Sequence, residues 1–228
     1  MVKLSYLQNV HSRNYIHRNI KPANILTGTQ DSPNMVYLAD FGIAKQYRHP
    51  NMHIHIPFRD GIPLTGTLAF ASINSHMGAE LSRCDDVESL AYVLIYFLWG
   101  SLPWLGAGDV DRVLQLKQGT HADRLCSGLP GAFKLILEHS CALAFTQRLD
   151  YNLLQSYIYD IREMLPDPND TLFDWHHSHL IPSSPAATPV TSNGCVRSHK
   201  QTIPATVSSV PTSTRVYAFP VSFKFNSI

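Results

Sequence analysis

Charged residues are scarce in this sequence, and their signs nearly cancel. Asp, Glu, Lys and Arg together make up 15% of the 228 residues, and the formal net charge is +1. This balance gives no electrostatic basis for binding nucleic acid or an anionic membrane surface, and we expect neither as a partner. The twelve histidines are expected mostly at surface or loop positions, and none is assigned a pH switch.

Cysteines are also few, and their spacing is irregular. Cys84, Cys126, Cys141 and Cys195 form no C-x-x-C pair, which argues against a zinc site and against a disulfide framework. The residues after Met1 lack the basic start and apolar run of a signal peptide. We therefore expect reduced cysteines and a cytoplasmic or nuclear location.

One long stretch lacks charge altogether, although it does not read as a membrane span. Residues 90–108 are uncharged and rich in large apolar side chains, but Gly100 and Pro103 interrupt them. The remaining helix of about a dozen residues is shorter than the roughly 20 that a bilayer requires. Because 44% of all residues are hydrophobic, we assign this helix to the core of a globular domain.

The first forty residues show short, distinct patterns. A partial helical face over residues 2–10 gives way to turn-forming residues near Asn14, and a short strand is predicted at residues 15–16. Residues 25–26 and 36–38 predict two strands joined by a turn. This hairpin would hold Asn24 and Asp40 side by side.

The middle and end of the chain differ in periodicity. Residues 43–75 show none, and their Pro, Gly, His and Thr suit either an ordered functional loop or a disordered linker. Two or three helical stretches are predicted between Asp109 and Met164, the last over residues 153–164. After residue 175 the composition shifts to Ser, Thr, Pro and Ala, which predicts a disordered tail over 176–228.

The chemistry is concentrated in two segments. His17-Arg18-Asn19-Ile20-Lys21-Pro22-Ala23-Asn24 is followed, sixteen residues after its end, by Asp40-Phe41-Gly42. Lys21 offers an ammonium, Asn24 an amide oxygen and Asp40 a carboxylate. These groups suit a phosphate together with its magnesium ion, because magnesium takes hard oxygen ligands and a lysine neutralises phosphate charge.

The two segments resemble the catalytic loop and the magnesium loop of eukaryotic protein kinases. The resemblance implies ATP and magnesium as cofactors, with Asn24 and Asp40 as metal ligands and Lys21 on the transferring phosphate. It places Asn19 where the family has its catalytic Asp. It also implies a protein as substrate or binding partner.

A further part of the resemblance concerns anchoring. Asp86 begins D-V-E-S-L-A, which is similar to the kinase D-x-W-S-x-G pattern whose Asp binds the backbone of the catalytic loop. The same carboxylate could instead serve as a helix N-terminal charge, and the two roles can coexist. We favour the anchoring role, with Arg18 as the second structural anchor.

The activation segment resembles one branch of the kinases, the casein kinase I family. The runs A-K-Q-Y-R-H-P, H-I-P-F-R and L-T-G-T are followed by Ser72-Ile73-Asn74, which replaces the A-P-E of most kinases, and F-D-W ends at Trp175. The resemblance covers residues 1–175. It implies an α+β, mainly α-helical fold: a kinase C-lobe with short β-hairpins.

Several departures from the family pattern bear on activity. Asn19 cannot take up a proton as a carboxylate does, and the loss of a general base typically costs about 10²–10⁴-fold in rate. No G-x-G-x-x-G precedes His17, so the N-lobe is expected to be missing and ATP binding weak or absent. Ile62 and Ala69 stand where the family has cations for a phosphate, while Arg59 either contributes there alone or pairs with a nearby acid.

Three interpretations remain open at this point. The first is a casein kinase I-like pseudokinase that acts, if at all, by binding a protein. The second is an active Ser/Thr kinase whose N-lobe is missing from this chain. The third is a degenerate fragment without stable function.

Overall fold

The computed structural model describes residues 4–28 and 35–165. The expected domain end at Trp175 and the tail over 176–228 lie outside these described residues. The described part is mostly helical, as predicted, and contains two small antiparallel sheets, of which the hairpin was predicted. Its helices are α1 (Leu4–Ser12), α2 (Ile73–His76), α3 (Arg83–Trp99), α4 (Val110–Gly119), α5 (Ala122–Leu125), α6 (Gly131–Ala142) and α7 (Tyr151–Glu163).

The predicted hairpin is present. Strand β2 (Ile25–Thr27) pairs antiparallel with β3 (Val36–Leu38), with Leu26 opposite Tyr37. A short 3-10 turn, Pro22–Asn24, leads directly into β2. Because Asn24 precedes one strand and Asp40 follows the other, the pairing brings both to the same end of the hairpin.

The second sheet joins segments that are distant in sequence. Strand β1 (Tyr15–Ile16) pairs antiparallel with β4 (Lys45–Gln46), which lies just after the D-F-G segment. No periodicity marked Lys45–Gln46 as a strand, because a two-residue strand is too short to show alternation. The pairing fixes the chain before the catalytic loop to the chain after residues 40–42.

Helix α3 is the central element of the described fold. It begins seven residues earlier than the apolar run suggested, because Ser82 and Asp85 form a capping box at its N-terminus. It ends at Gly100, whose φ of 71° is a left-handed cap that favours glycine. None of the helices in the described ranges is long and apolar enough to cross a membrane.

The remaining helices pack around α3. Helix α6 lies against α3, and α7 lies against α6 and α1. Fully buried side chains such as Val93, Ile95, Ile136 and Leu154 fill these contacts. Each such side chain contributes about 1.5–3 kcal/mol of transfer free energy, so this packing sets the position of the N-terminal end of α3.

One sequence expectation needs correction. Four helices, rather than two or three, lie between Asp109 and Met164, because the one-turn helix α5 is too short to show a period. Among the histidines, which were expected mostly at surface or loop positions, His11 and His17 are buried, with 1% and 0% of their surface exposed. Both contact the backbone or side chains around the catalytic loop.

The cysteines in the described ranges are free thiols. Cys84 and Cys126 are buried, whereas Cys141 is exposed. Cys195 lies outside the described residues. Burial raises the pKa of the Cys126 thiol to about 11, so it is protonated and unreactive at neutral pH.

Candidate functional site

One buried carboxylate, that of Asp86, binds the backbone of the catalytic loop. Asp86, in the first turn of α3, accepts hydrogen bonds from the backbone N–H of His17 at 2.7 Å and from that of Arg18 at 2.8 Å. Burial alone would raise the pKa of Asp86, but hydrogen bonds from His11 and from the two N–H groups outweigh it and lower this pKa. These are the contacts expected of an anchoring residue.

The same carboxylate is linked to the last described helix. The Nε2 atom of His11, in α1, lies 2.8 Å from Oδ2 of Asp86, and its Nδ1 lies 2.5 Å from the hydroxyl of Tyr151 in α7. Sequence reasoning missed His11. Its partners are 75 and 140 residues away, so no local pattern could have indicated the contact.

Arg18 connects the catalytic loop to the segment after D-F-G. Its Nε donates to the carbonyl oxygen of Ile43 at 2.7 Å. Its backbone has a φ of 66°, a left-handed conformation that non-glycine residues adopt mainly where the surroundings enforce it. Arg18 is therefore bonded through its backbone N–H to Asp86 and through its side chain to the segment after D-F-G.

Asn24 and Asp40 are brought together as the hairpin predicted. Asn24 is 5% exposed, and its Nδ2 donates to the backbone carbonyl of Asn19 at 2.9 Å and, more weakly, to Oδ2 of Asp40 at 3.4 Å. Asp40 itself is exposed and has a φ of 66°. The backbone N–H of Gly42 donates to its Oδ1 at 3.3 Å.

Asn19 lies beside this pair and makes two contacts of opposite polarity. Its Oδ1 accepts a hydrogen bond from the hydroxyl of Thr67 at 2.9 Å, and its Nδ2 donates to Oδ2 of Asp40 at 3.4 Å. Thr67 belongs to the L-T-G-T run, in which no individual role was predicted for it. The side chain of Asn19 thus accepts one hydrogen bond through its oxygen and donates one through its nitrogen.

Lys21 is near the site but not joined to it by a side-chain contact. It precedes the 3-10 turn and is half-buried. Within the residues that the structure describes, its ammonium group makes no hydrogen bond or ion pair. It therefore remains available to an anion.

The residues present fit a magnesium ion. Asp40 supplies a carboxylate, and Asn24, whose Nδ2 is fixed on a backbone carbonyl, has its Oδ1 left to face a cation. Within residues 4–28 and 35–165, no group of three or more His, Cys, Asp or Glu side chains is arranged to hold a metal. Any magnesium here would need further oxygen ligands from phosphate or water.

The positions expected to bind a substrate phosphate carry little free positive charge. Ile62 and Ala69 are half-buried and apolar. Arg59 pairs with Glu80, its Nη2 lying 2.9 Å from Oε2, and Lys45 lies 2.6 Å from the other oxygen of the same carboxylate. Of the two alternatives for Arg59, the structure contains the ion pair.

A second missed group holds the segment that carries Thr67. Lys117, in α4, is 3% exposed and donates to the backbone carbonyls of Leu68 and Ala71. Its ammonium also lies over the rings of Tyr92 and Trp104, at 4.8 and 5.3 Å from their centroids. The helical spacing of α4 contains a signal for it, since Lys117 follows the buried Val113 by four residues.

Trp104 and His76 bind the same segment as Lys117, and we call these three side chains the clamp on residues 67–71. Its Nε1 donates to the carbonyl of Ala69 at 2.7 Å, and Nε2 of His76 lies 3.1 Å from that of Leu68. Residues 67–71 are therefore tied down by side chains from three separate parts of the chain.

A model of the protein kinase domain family matches residues 4–152 of this sequence. The match includes the catalytic loop, the D-F-G segment, the activation segment and helix α3. It covers well over half of the chain.

Proposed function

The chain belongs to the protein kinase domain family, and from that premise we propose that it is a casein kinase I-like C-lobe in which phosphotransfer is impaired. Its remaining role would be to bind a protein partner. The family generally uses ATP and magnesium and acts on proteins. A cytoplasmic or nuclear location belongs to the same proposal.

The observation that carries the proposal is the environment of Asn19. A kinase transfers the γ-phosphoryl group of ATP to a substrate hydroxyl, and the carboxylate at this position accepts the hydroxyl proton. In this chain Oδ1 of Asn19 accepts from Thr67, and Nδ2 points towards Asp40. An amide at this position has no basic group that could take up the proton of a substrate hydroxyl.

The residue types that the resemblance assigns to magnesium and phosphate are present, unlike the catalytic Asp. Asp40 and Asn24 offer oxygen atoms for magnesium, and Lys21 offers a positive charge for a phosphate. The ion would neutralise phosphate charge during transfer. However, within the described residues only Asp40 and Asn24 offer side-chain ligands here and no larger metal-binding group is present, so we propose weak or absent binding of magnesium-ATP by this site.

Substrate selection is proposed to differ from that of the casein kinase I family. Ala69 and Ile62 provide no cation, and the guanidinium of Arg59 is already paired with the buried carboxylate of Glu80, which it shares with Lys45. Exchanging two cations for apolar side chains removes charge-assisted hydrogen bonds to a phosphate. We therefore propose that phosphate-primed substrates are not preferred.

The alternative of an active kinase is favoured by one specific observation. Asp86 holds the backbone of the catalytic loop, and Asn24 lies beside Asp40, so the geometry that the reaction needs is largely in place. An Asn can still orient a hydroxyl, although it cannot take the proton. A degenerate fragment is the third candidate, and the well-packed contacts of Asp86 and Lys117 count against it.

The proposal is tested by phosphotransfer from magnesium-ATP to casein with the full 228-residue chain. We expect a rate equal to that of an Asp40→Asn variant, which removes the carboxylate that would hold the metal. A rate clearly above this control would support the active-kinase alternative. A thermal shift with magnesium-ATP, expected to be small, addresses nucleotide binding separately because a ligand of the folded state raises its melting temperature.

A further inference from the structure

One oxygen of the proposed metal carboxylate, Oδ2 of Asp40, faces side-chain N–H groups, whereas within the described residues Oδ1 accepts only from the backbone N–H of Gly42. Oδ2 of Asp40 faces Nδ2 of Asn19 and Nδ2 of Asn24, both at 3.4 Å. We call these two N–H groups the amide cap of Asp40. At the position of Asn19 the family carries a carboxylate, which has no N–H to give, so the contribution of Asn19 to the cap is particular to this chain.

The orientation of the Asn19 amide follows from its two neighbours. Turning the amide by half a rotation would place Oδ1 next to the charged Oδ2 of Asp40, which sets two acceptors against each other. It would also end the hydrogen bond that Thr67 donates to Oδ1 at 2.9 Å. Thr67 and Asp40 therefore favour the same orientation, with the N–H groups on the metal side.

A cation that approaches Oδ2 of Asp40 is repelled by the partial positive charge of the Asn19 N–H group. To bind Oδ2 it must either face the positive end of the Asn19 N–H dipole or force the amide to turn, which leaves Oδ1 as the one oxygen that Asn19 does not face. Turning gives up the hydrogen bond donated by Thr67. In both cases the free energy of metal binding becomes less favourable, in addition to the loss of the negative charge that an Asp would have supplied.

We propose that Asn19 acts as an amide cap that suppresses divalent-cation binding at Asp40, with Thr67 as the positioning residue that keeps its N–H groups on the metal side. The chain would thus lose metal binding and the general base through the same residue. The inference rests on the proposed function only for identifying Asp40 as the metal carboxylate.

The test distinguishes two explanations for weak metal binding: the N–H groups of Asn19, and the absence of the negative charge that an Asp would supply. Mn²⁺ is titrated into the full chain, and the free ion is followed by electron paramagnetic resonance. Asn19→Ala removes the N–H groups without adding charge, and Asn19→Asp also adds a carboxylate. Asp40→Asn is the control that defines which binding belongs to this site.

We expect Asn19→Ala to raise the association constant for Mn²⁺ by about 2–10-fold, which is the value of one ordinary hydrogen bond. Asn19→Asp is expected to raise it further, because a second carboxylate attracts the ion. Thr67→Val, which frees the amide to turn, is expected to give an increase smaller than that of Asn19→Ala. Asp40→Asn should abolish the gain in each case.

If Asn19→Asp alone raised the Mn²⁺ affinity, charge loss would explain the site and the cap would be wrong. An unchanged affinity in Thr67→Val would overturn the positioning role of that hydroxyl. Since Mn²⁺ binding is read without ATP or substrate, these results are independent of phosphotransfer. If the Mn²⁺ titrations contradicted the amide cap, the proposed impairment of phosphotransfer would still stand. A measured kinase rate would overturn the proposed impairment but would not affect the amide cap.

Discussion

The two sides of the catalytic loop differ in what they retain. The buried support, formed by Asp86, His11 and the backbone N–H groups of His17 and Arg18, is fully hydrogen-bonded. The face formed by Asn19, Lys21 and Asp40, here called the reactive face, contains a weaker contact, 3.4 Å between Nδ2 of Asn19 and Oδ2 of Asp40, and in our proposal it lacks the proton acceptor of a kinase. The difference teaches that the backbone of this loop is held by hydrogen bonds that do not involve the side chain of residue 19.

The largest effect on stability is expected from Asp86→Asn, which disrupts the buried support and leaves the residues of the reactive face unchanged. Asp86→Asn places an amide N–H group against backbone N–H donors in a site that is 1% exposed, and it removes the charged partner of His11. We expect a loss of about 3 kcal/mol or more in the free energy of unfolding. Urea denaturation monitored by circular dichroism measures it.

Asp40→Asn is the matched control for that variant. Asp40 is exposed, and asparagine tolerates its left-handed φ of 66°. The change should alter the free energy of unfolding by less than about 0.5 kcal/mol, as is usual at surface positions. Equal losses in the two variants would contradict the division into support and face.

A second, smaller effect tests whether the support extends to the activation segment. Gly66 has a φ of 99°, and a Cβ there would lie 2.7 Å from the carbonyl oxygen of Arg18. Gly61 has a φ of 75° but no atom within 4 Å of such a Cβ. Gly61→Ala should cost about 1–2 kcal/mol from the left-handed backbone alone.

Gly66→Ala is expected to cost more than Gly61→Ala, because the backbone strain is joined by a collision with the catalytic loop. Thermal denaturation of the two variants side by side gives the comparison. If Gly66→Ala proved the milder change, residues 66–67 would not be held against the loop as the structure has them.

The smallest expected effect concerns the clamp on residues 67–71. Burial lowers the pKa of Lys117 to about 7, although Glu88 opposes the shift, and burial raises the pKa of Glu88 to about 7. His76, whose pKa burial and then Lys117 lower to about 4, and the Tyr92 hydroxyl, which donates to Glu88, also face this cluster. At neutral pH the buried lysine and glutamate are therefore both near their titration points.

The sign of the pH dependence follows from which state binds more protons. Between about pH 4.5 and 7 the folded chain holds an extra proton on Glu88, so the contribution of Glu88 to stability falls as the pH rises. The lowered pKa of His76 acts in the opposite direction between about pH 4 and 6.5, and His76 is present in both proteins compared below. Between about pH 7 and 10.5 the unfolded chain holds an extra proton on Lys117, so stability rises again. The slope is at most about 1.4 kcal/mol per pH unit for each group.

The measurement is urea unfolding at pH 5, 7 and 9 for the chain and for a Glu88→Gln, Lys117→Met double variant. The unaltered chain should be least stable relative to the double variant near pH 7, and its relative free energy of unfolding should increase towards both pH 5 and pH 9. A difference that does not vary with pH would mean that the two side chains keep ordinary pKa values in the folded state.

The sequence predicted the features that depend on neighbours along the chain. The apolar run before Gly100 indicated a buried helix, the two short apolar segments around residue 30 indicated the hairpin, and D-V-E-S-L-A pointed to Asp86. Each of these signals is a local period or a motif of a few residues. They were enough to identify the site residues Asn24 and Asp40 as neighbours.

Apart from the one-turn helix α5, the missed features join distant parts of the chain. Thr67 meets Asn19 across 48 residues, His11 meets Asp86 across 75, and Lys117 meets Ala71 across 46. Such contacts depend on how the helices pack, which no single-sequence pattern encodes. The polarity of Asn19 is a further example, because its residue type was visible but the direction of its amide was not.

The most direct measurement of the central claim is phosphotransfer to casein by the chain joined to a casein kinase I nucleotide-binding lobe, with Asn19 or with Asn19→Asp. Both proteins share the same support, so only the reactive face differs. We predict that Asn19→Asp raises the rate by about 10²–10⁴-fold, which is the usual contribution of a general base. Equal rates in the two proteins would contradict the claim that Asn19 is what impairs this site.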